Sequence, residues 1–225
     1  MQDVLCDVTS CFLCTNCIPE WREIIAMKKQ TRLFKKNESI FSEGDDVKGI
    51  YFIYSGAVKI HKQWSDEKDM IIRFSSAGDI LGHRGLGGAN KYPVSATALD
   101  TTKACFITNQ FLETLLRSNH DLTYKLMHFY ASELQKAEQR MRNLAHMDVK
   151  GRIAETLLDL KKVFGLNDDG FIGVVITRQD IASYAGTTYE TVFKLFNDLT
   201  SEGVIVTEGK SIRVINEEKL RKMVG

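Results

Sequence analysis

The sequence is short of charge of either sign in excess: 30 lysines and arginines face 29 aspartates and glutamates, for a net +1 across 225 residues. So even a balance neither announces nor excludes nucleic acid, because that binding depends on local basic patches. There is no run approaching the roughly 18 apolar residues that a membrane helix needs. The first residues lack the basic region and apolar stretch of a secretory signal, so a cytoplasmic location is expected. Catalytic signatures are missing too. None of His61, His83, His120, His128 and His146 lies in an H-E-x-x-H pattern, and G-x-S-x-G is absent. The stretch Gly85-Leu86-Gly87-Gly88 lacks the lysine-serine pair of a phosphate loop and reads as a hairpin. An enzyme is not expected.

What remains is a globular composition, 44% hydrophobic and 26% charged, long enough for one large domain or two ordinary ones. Residues 30 to about 107 read as short strands. In "GIYFIYSGAVKIHKQ", Ile50, Phe52 and Tyr54 and then Val58 and Ile60 alternate with polar positions around a turn at Ser55-Gly56. "DMIIRF" and "SATALDTTKACFI" continue the pattern, and recurrent glycines mark an antiparallel barrel or roll. From about Gln110 the period becomes helical. Met127, Tyr130, Leu134, Ala137, Met141 and Leu144 form an a/d seam, a stripe narrow enough to favour a symmetric partner helix over burial against the roll.

A third unit begins near Val149 with the amphipathic helix "RIAETLLDLKKVF", followed by a short strand "FIGVVI", two brief helices, a strand pair and a polar tail. Thr177 with Asp180 and Thr187 with Glu190 resemble two capping boxes, each opening a helix, with Gly186 in the turn between. Ile181, Ala182 and Ala185 face inward on the first helix, and Val192, Leu195, Phe196 and Leu199 on the second. This is a helix-turn-helix layout. Tyr189, Glu190, Phe193, Lys194 and Asn197 then face outward, where a recognition helix meets base edges. Glu190 is suited to accept from a cytosine amino group, Lys194 to donate to guanine and Phe193 to pack on a thymine methyl. Lys210, at the tip of the last hairpin, is placed to touch phosphate. Acid and base are balanced from Val149 onward, at eleven each, so geometry rather than field supports this reading.

In order and motif, the whole chain resembles the CRP/FNR family of bacterial transcription regulators. "FSEGDDVKGIYFIYSGAVKI" and "SAGDILG" resemble the turns of the family's roll, and "TRQDIASYAGTTYETVFKLF" its DNA-reading helices. The resemblance implies an α+β chain: a double-stranded β-helix of jelly-roll, cyclic-nucleotide-binding type, joined by a long dimerisation helix to a winged helix-turn-helix. The expected divisions are a cysteine-bearing arm (1–20), sensor roll (21–118), dimerisation helix (119–148) and DNA-binding domain (149–225). It also implies a homodimer on a palindromic double-stranded DNA operator, with RNA polymerase as a further partner. Thr177, Arg178, Thr187, Thr188, Tyr189, Glu190, Phe193, Lys194 and Lys210 are the expected DNA-facing residues. Lys194 stands where the family usually has arginine, and Phe193 where a small residue is common, so a variant half-site is expected.

Cyclic AMP binders of the family carry a glutamate after the "GD..G" turn and an Arg-Ser pair about ten residues on. Here His83 holds the glutamate's place and Pro93 or Val94 that of the arginine, with Arg84 misplaced, which argues against cyclic AMP bound in the usual way. Four of the five cysteines crowd into "CDVTSCFLCTNCIP". In a reducing cytosol such a cluster points to metal or redox chemistry rather than disulfides. Cys11, Cys14 and Cys17 have the C-x2-C-x2-C spacing of iron-sulfur loops. Cys105 resembles the distant fourth ligand of the oxygen-sensing FNR branch, so a [4Fe–4S] cluster lost to oxidants is expected, altering DNA affinity as the arm relaxes. Cys6 is the alternative fourth ligand, a four-thiolate zinc site uses the same donors, and Cys105 also reads as an apolar core residue. The branch has a wider gap between its last two arm cysteines than this chain. The rival regulator reading is a small-molecule effector near His83, Arg84, Lys91 and Tyr92, with cysteines idle or holding zinc. Ala137 stands where oxygen-switched members carry an acid in the seam, so dimerisation without the cluster is expected.

Overall fold

The computed structural model describes residues 11–65 and 68–225. Cys6 lies outside them. Strands β1 (Gln30–Phe34), β2 (Ser39–Phe41), β3 (Gly49–Ser55), β4 (Val58–Ser65), β5 (Lys68–Ser75), β6 (Ile80–Leu81), β7 (Ser95–Ala98) and β8 (Thr102–Thr108) form two four-stranded sheets. Their orders are β1-β8-β3-β6 and β2-β7-β4-β5. Most neighbours are not consecutive in the chain, β8 lying antiparallel between β1 and β3, which is the crossover of a roll, while β4 and β5 follow one another. The β3–β8 approach needs Gly49: a Cβ there would stand 2.0 Å from the Ile107 carbonyl.

The chain divides into two compact units, one made of residues up to 62 and 75–136, the other of 63–74 and 137–225. In the first, residues 49–53 of β3 are all buried and do not alternate as the sequence suggests, and Ile50, Ile53, Ile80, Leu81 and Ile107 are fully buried in the core. Each such side chain contributes roughly 1.5–3 kcal/mol of transfer energy. Helices α1 (Phe12–Asn16), α2 (Trp21–Lys28) and α3 (Asn109–Ser118) precede and follow the roll, and α3 is capped by Thr108, whose Oγ1 accepts from the Phe111 amide at 3.4 Å. Helix α4 (His120–His146) runs from the first unit into the second.

In the second unit, α5 (Val149–Phe164) buries Ile153, Ala154, Leu157 and Leu160 completely. It is followed by α6 (Arg178–Ala185), α7 (Tyr189–Ser201), the hairpin β9 (Ile205–Glu208) and β10 (Ser211–Val214), and α8 (Glu217–Val224). Two expectations fail here. "FIGVVI" is not a strand. Among the described residues its pairing is one bridge, Leu166 to Ile172, and the Ile172 amide bond to the Ile212 carbonyl at 2.8 Å. Gly173 packs on the Phe164 carbonyl, where a Cβ would stand at 2.5 Å, and the run is an irregular turn that buries Phe171, Ile172, Val174 and Ile176 and leaves Val175 exposed. The expected polar tail is α8, capped by Asn216 and anchored against α5 by the fully buried Leu220.

Inside this unit Tyr184 donates its hydroxyl to Asp159 Oδ2 at 3.0 Å. Burial pushes the Asp159 carboxyl above its ordinary 3.8, partly opposed by that hydrogen bond and by Lys162 and Arg140. The folded chain therefore holds this proton more tightly than the unfolded one. The group's contribution to stability is full below the unfolded value and is lost as pH rises through the raised native value. Asp159→Asn keeps an acceptor for Tyr184 without the ionisation. Its stability relative to the parent is expected to rise with pH from about 4 and then level off, measured by urea melts across that range. A difference that stays flat with pH refutes the burial argument.

Candidate nucleic-acid interface and cysteine site

The helix-turn-helix forms as its local sequence dictates. Thr177 caps α6, its Oγ1 accepting from the Asp180 amide at 3.0 Å and donating to Asp180 Oδ2 at 2.5 Å. Gly186 ends that helix at φ +64°, a left-handed conformation that favours glycine. The second cap is not Thr187. Thr188 holds that place, accepting from the Thr191 amide at 3.3 Å, while the Thr187 amide closes onto Ala182. Adjacent threonines made the register ambiguous by one residue.

Val192, Phe196 and Leu199 are buried on the inner face of α7 and Leu195 is half-buried. Tyr189, Glu190, Phe193, Lys194 and Asn197 are all exposed, and the rings of Tyr189 and Phe193 stack at 6.4 Å between centroids and 20° between planes. Bonds from the Glu190 backbone amide and the Thr188 hydroxyl hold the Glu190 carboxyl below its usual range, so it stands as an ionised acceptor. Arg178 lies over the Phe196 ring at 4.2 Å, which ties its guanidinium to the helix pair. Lys210 lies at the exposed β9–β10 tip beside Gly209.

The four described cysteines come from two distant segments into one apolar cluster. Cys11 is the N-cap residue of α1, Cys14 lies within it, Cys17 ends it, and Cys105 sits on β8 opposite Thr31 and Phe52. Each is only 4–5% exposed, amid Leu13, Ile25, Ile50, Phe52, Ile107 and Leu115. The Cys17 thiol donates to the Cys14 carbonyl at 3.6 Å. Burial pushes the Cys17 thiol up, while the nearby Arg22 guanidinium pulls it down. That arginine went unnoticed in the sequence, where its only signal was a cation five residues past the last arm cysteine. Among the described residues no group of three or more His, Cys, Asp or Glu side chains could hold a metal ion. A cube of four irons needs its thiolates spread to separate corners, farther apart than one ion's ligands. The donor set fits such a cube in chemistry, being soft sulfur groups set among buried apolar side chains.

The residues expected at an effector pocket are dispersed. His83 is buried, its Nδ1 3.2 Å from the Ile80 carbonyl and its ring edge-on to Phe129 and Tyr130. Tyr130 donates to the His83 carbonyl at 2.6 Å, and Arg84 pairs with the buried Glu133 at 3.4 Å. Lys91 reaches Asp46 at the surface, and Pro93 is exposed while Val94 is buried. Tyr92 stacks on Phe41 at 4.1 Å and donates to the Gly49 carbonyl at 2.6 Å. Glu133, one position before a seam residue, is the partner that reading by neighbourhood missed. An open cavity of about 620 Å³ begins next to them in the chain, lined by Gly85, Leu86, Asn90, Asn109, Leu112 and Arg117 among others.

Along α4, Met127, Leu134 and Met141 are exposed by 57–67%, Tyr130 by 36%, Ala137 is exposed and Leu144 half-buried. Among the described residues no helix is long and apolar enough to cross a membrane.

Comparison with known proteins adds a lineage to this geometry. Residues 31–119 match the cyclic nucleotide-binding domain family and residues 151–223 the Crp-like helix-turn-helix domain family. The chain is 30% identical over 203 residues to the anaerobic regulatory protein of Bacillus subtilis, covering 88% of this chain and 85% of that one. It is 26% identical over 224 residues to the fumarate and nitrate reduction regulatory protein of Escherichia coli, covering 96% and 89%. Among solved structures, FixK2 from Bradyrhizobium japonicum superposes with a TM-score of 0.78 at 26% identity, covering 88% of this chain and 98% of that one.

Proposed function

The chain belongs to the CRP/FNR family of DNA-binding transcription regulators, and on that premise we propose that its operator affinity responds to oxygen or redox state through a [4Fe–4S] cluster. Cys11, Cys14, Cys17 and Cys105 would hold it, with Cys6 the alternative to Cys105. The observation that carries the reading is that four buried cysteines, from segments almost ninety residues apart in sequence, belong to one apolar cluster. When bound, such a cluster supplies a thiolate-held centre sensitive to oxidants. The chain's own part is to keep water from the thiols and to tie the arm to α4. Phe12, between the first two ligand cysteines, stacks on Phe52 at 6.5 Å and meets Phe129 of α4 edge-on at 5.8 Å. Cyclic AMP has no place in this reading, since His83 and Arg84 are engaged by the chain itself. The relatives named for anaerobic and for fumarate and nitrate regulation support it.

The first test is anaerobic purification, with the visible spectrum and iron and sulfide analysis before and after air. A brown protein holding about four irons per chain that air bleaches is expected. A colourless chain that takes up no iron on reconstitution overturns the cluster and transfers the sensing role to zinc or to a small effector, for which the open cavity is available.

For DNA, the proposed readers are Tyr189, Glu190, Phe193 and Lys194 on the exposed start of α7. Thr177, Arg178, Thr187 and Thr188 position the helix pair, and Lys210 lies on phosphate. A homodimer through Met127, Tyr130, Leu134, Ala137, Met141 and Leu144 would place two such helices on a palindromic operator about one helical turn apart, with RNA polymerase as the partner regulated and the cytoplasm as the setting. Lys194→Ala is expected to cost about 1–3 kcal/mol of specific binding with little change on unrelated duplex. Equal losses on both, measured by fluorescence anisotropy, refute base reading. Gel filtration of the metal-free chain is expected to give a dimer, because the seam carries Ala137 and no buried like charges. A monomer alone overturns that expectation.

A further inference from the structure

We infer that Tyr189 and Phe193 act as one apolar slab that reads pyrimidine C5-methyl groups in the major groove, so that methyls set part of the operator affinity. The inference rests on the proposed DNA reading by α7 and deepens it by naming the group that is read.

The two residues are four apart at the start of α7, and so are neighbours on its surface. The inner stripe of the helix, Val192, Phe196 and Leu199, is buried, and the pair lies outside that stripe. Tyr189 is 45% exposed and Phe193 53%, yet their rings stack at 6.4 Å between centroids and 20° between planes. A single exposed ring needs no explanation. A stacked pair is a continuous apolar patch where a surface helix normally carries polar side chains. The patch is edged by charge: Glu190 precedes Phe193 by three positions and Lys194 by four, and both are exposed. The cores of protein–protein interfaces are depleted of charged residues, so a slab set among charges suits duplex DNA better than a dry protein partner.

In a duplex such a slab has few partners. Base faces are stacked out of reach, and aromatic rings meet them only in single strands or on flipped bases. The base edges in the major groove are donors and acceptors with one apolar exception, the methyl on C5 of thymine. 5-Methylcytosine carries the same methyl at the same place. Successive bases on a strand are roughly 3.4 Å apart, so rings 6.4 Å apart cover about two base steps. The slab is therefore long enough to meet two methyls in each half-site. Stacked on each other, the rings have less rotamer freedom to lose on binding than either would alone. Glu190 and Lys194 read polar edges beside it, and the slab reads what they cannot.

The test changes the DNA and keeps the full-length chain. The parent's preferred duplex is selected from a random pool. Each thymine is then replaced by deoxyuridine at the matching positions of both half-sites, which removes the methyl and keeps every donor and acceptor. Each cytosine is likewise replaced by 5-methyldeoxycytidine. Affinities are measured by fluorescence anisotropy for the parent, Tyr189→Ala and Phe193→Ala. Burying one methyl is worth about fourfold in affinity, so a contacted thymine changed in both half-sites is expected to cost the parent about tenfold or more. In the variant that lacks the contacting ring, the same change is expected to cost about twofold or less. A uracil penalty that either variant abolishes assigns the slab to thymine, and a gain from 5-methyldeoxycytidine that either abolishes assigns it to methylated cytosine. Both outcomes support the inference. A duplex on which no thymine shows a uracil penalty and no cytosine gains from its methyl overturns it, and so does a methyl effect that survives undiminished in both variants. A parent that selects no duplex overturns the DNA reading itself, and the inference falls with it.

Discussion

Helix α4 carries more apolar surface than its own unit covers, and much of the chain's design follows from that constraint. Leu122 and Leu126 are buried with the roll's core, Phe129 packs beside them, and the buried Glu133 takes Arg84 and Lys136. The opposite stripe, Met127, Leu134 and Met141, lies bare. Covering each of these with a partner is worth on the order of 1.5–3 kcal/mol, enough in sum to drive association. A helix committed on one face to the roll and on the other to a second copy cannot rotate freely about its axis. Any signal that moves it must do so by shifting which contacts on the committed face are made.

On the committed face, side chains join the loop after β6 to α4. Tyr130 reaches the His83 carbonyl, Arg84 reaches Glu133, and the His83 ring stands against Phe129 and Tyr130. Breaking the Arg84–Glu133 pair would take a cation from a carboxylate only 8% exposed, a costly loss in a low-dielectric setting. The loop after β6 is therefore held to α4 without a small molecule. On the proposed reading control enters through the arm, which meets this face through Phe12 against Phe129.

How legible this was in the sequence varies with how local each feature is. The helix-turn-helix was readable because its caps, its glycine turn and its inner faces lie within 25 residues, and each constrains the next. Its one slip, Thr187 for Thr188, arose because two adjacent residues offered the same cap. The stripe on α4 was readable from a period alone. By contrast "FIGVVI" has a strand's composition and a turn's geometry, since Gly173 is fitted against Phe164 and no period of six residues reports that. Helix α8 was missed because it buries a single residue, Leu220, too little to show as a period. Glu133 as the partner of Arg84, and Ile71 as the partner of Ser183, were invisible because 49 and 112 residues separate them.

Whether the arm has enough leverage on α4 is a question of magnitude. Phe12 makes two ring contacts, with Phe52 and Phe129, and Phe129 in turn touches His83 and Tyr130. Aromatic pairs contribute about 0.5–1.5 kcal/mol each beyond their buried area. The seat of Phe12 is thus worth roughly 1–3 kcal/mol, the size of a typical coupling free energy between two sites. Cys11 and Cys14 flank Phe12 closely, with Cys11 its immediate neighbour, so a change in what those thiols hold must move the ring or strain α1, a helix of five residues. Leverage of this size shifts an equilibrium by one or two orders of magnitude, which suffices for a regulator poised between two affinities and is too little to unfold it.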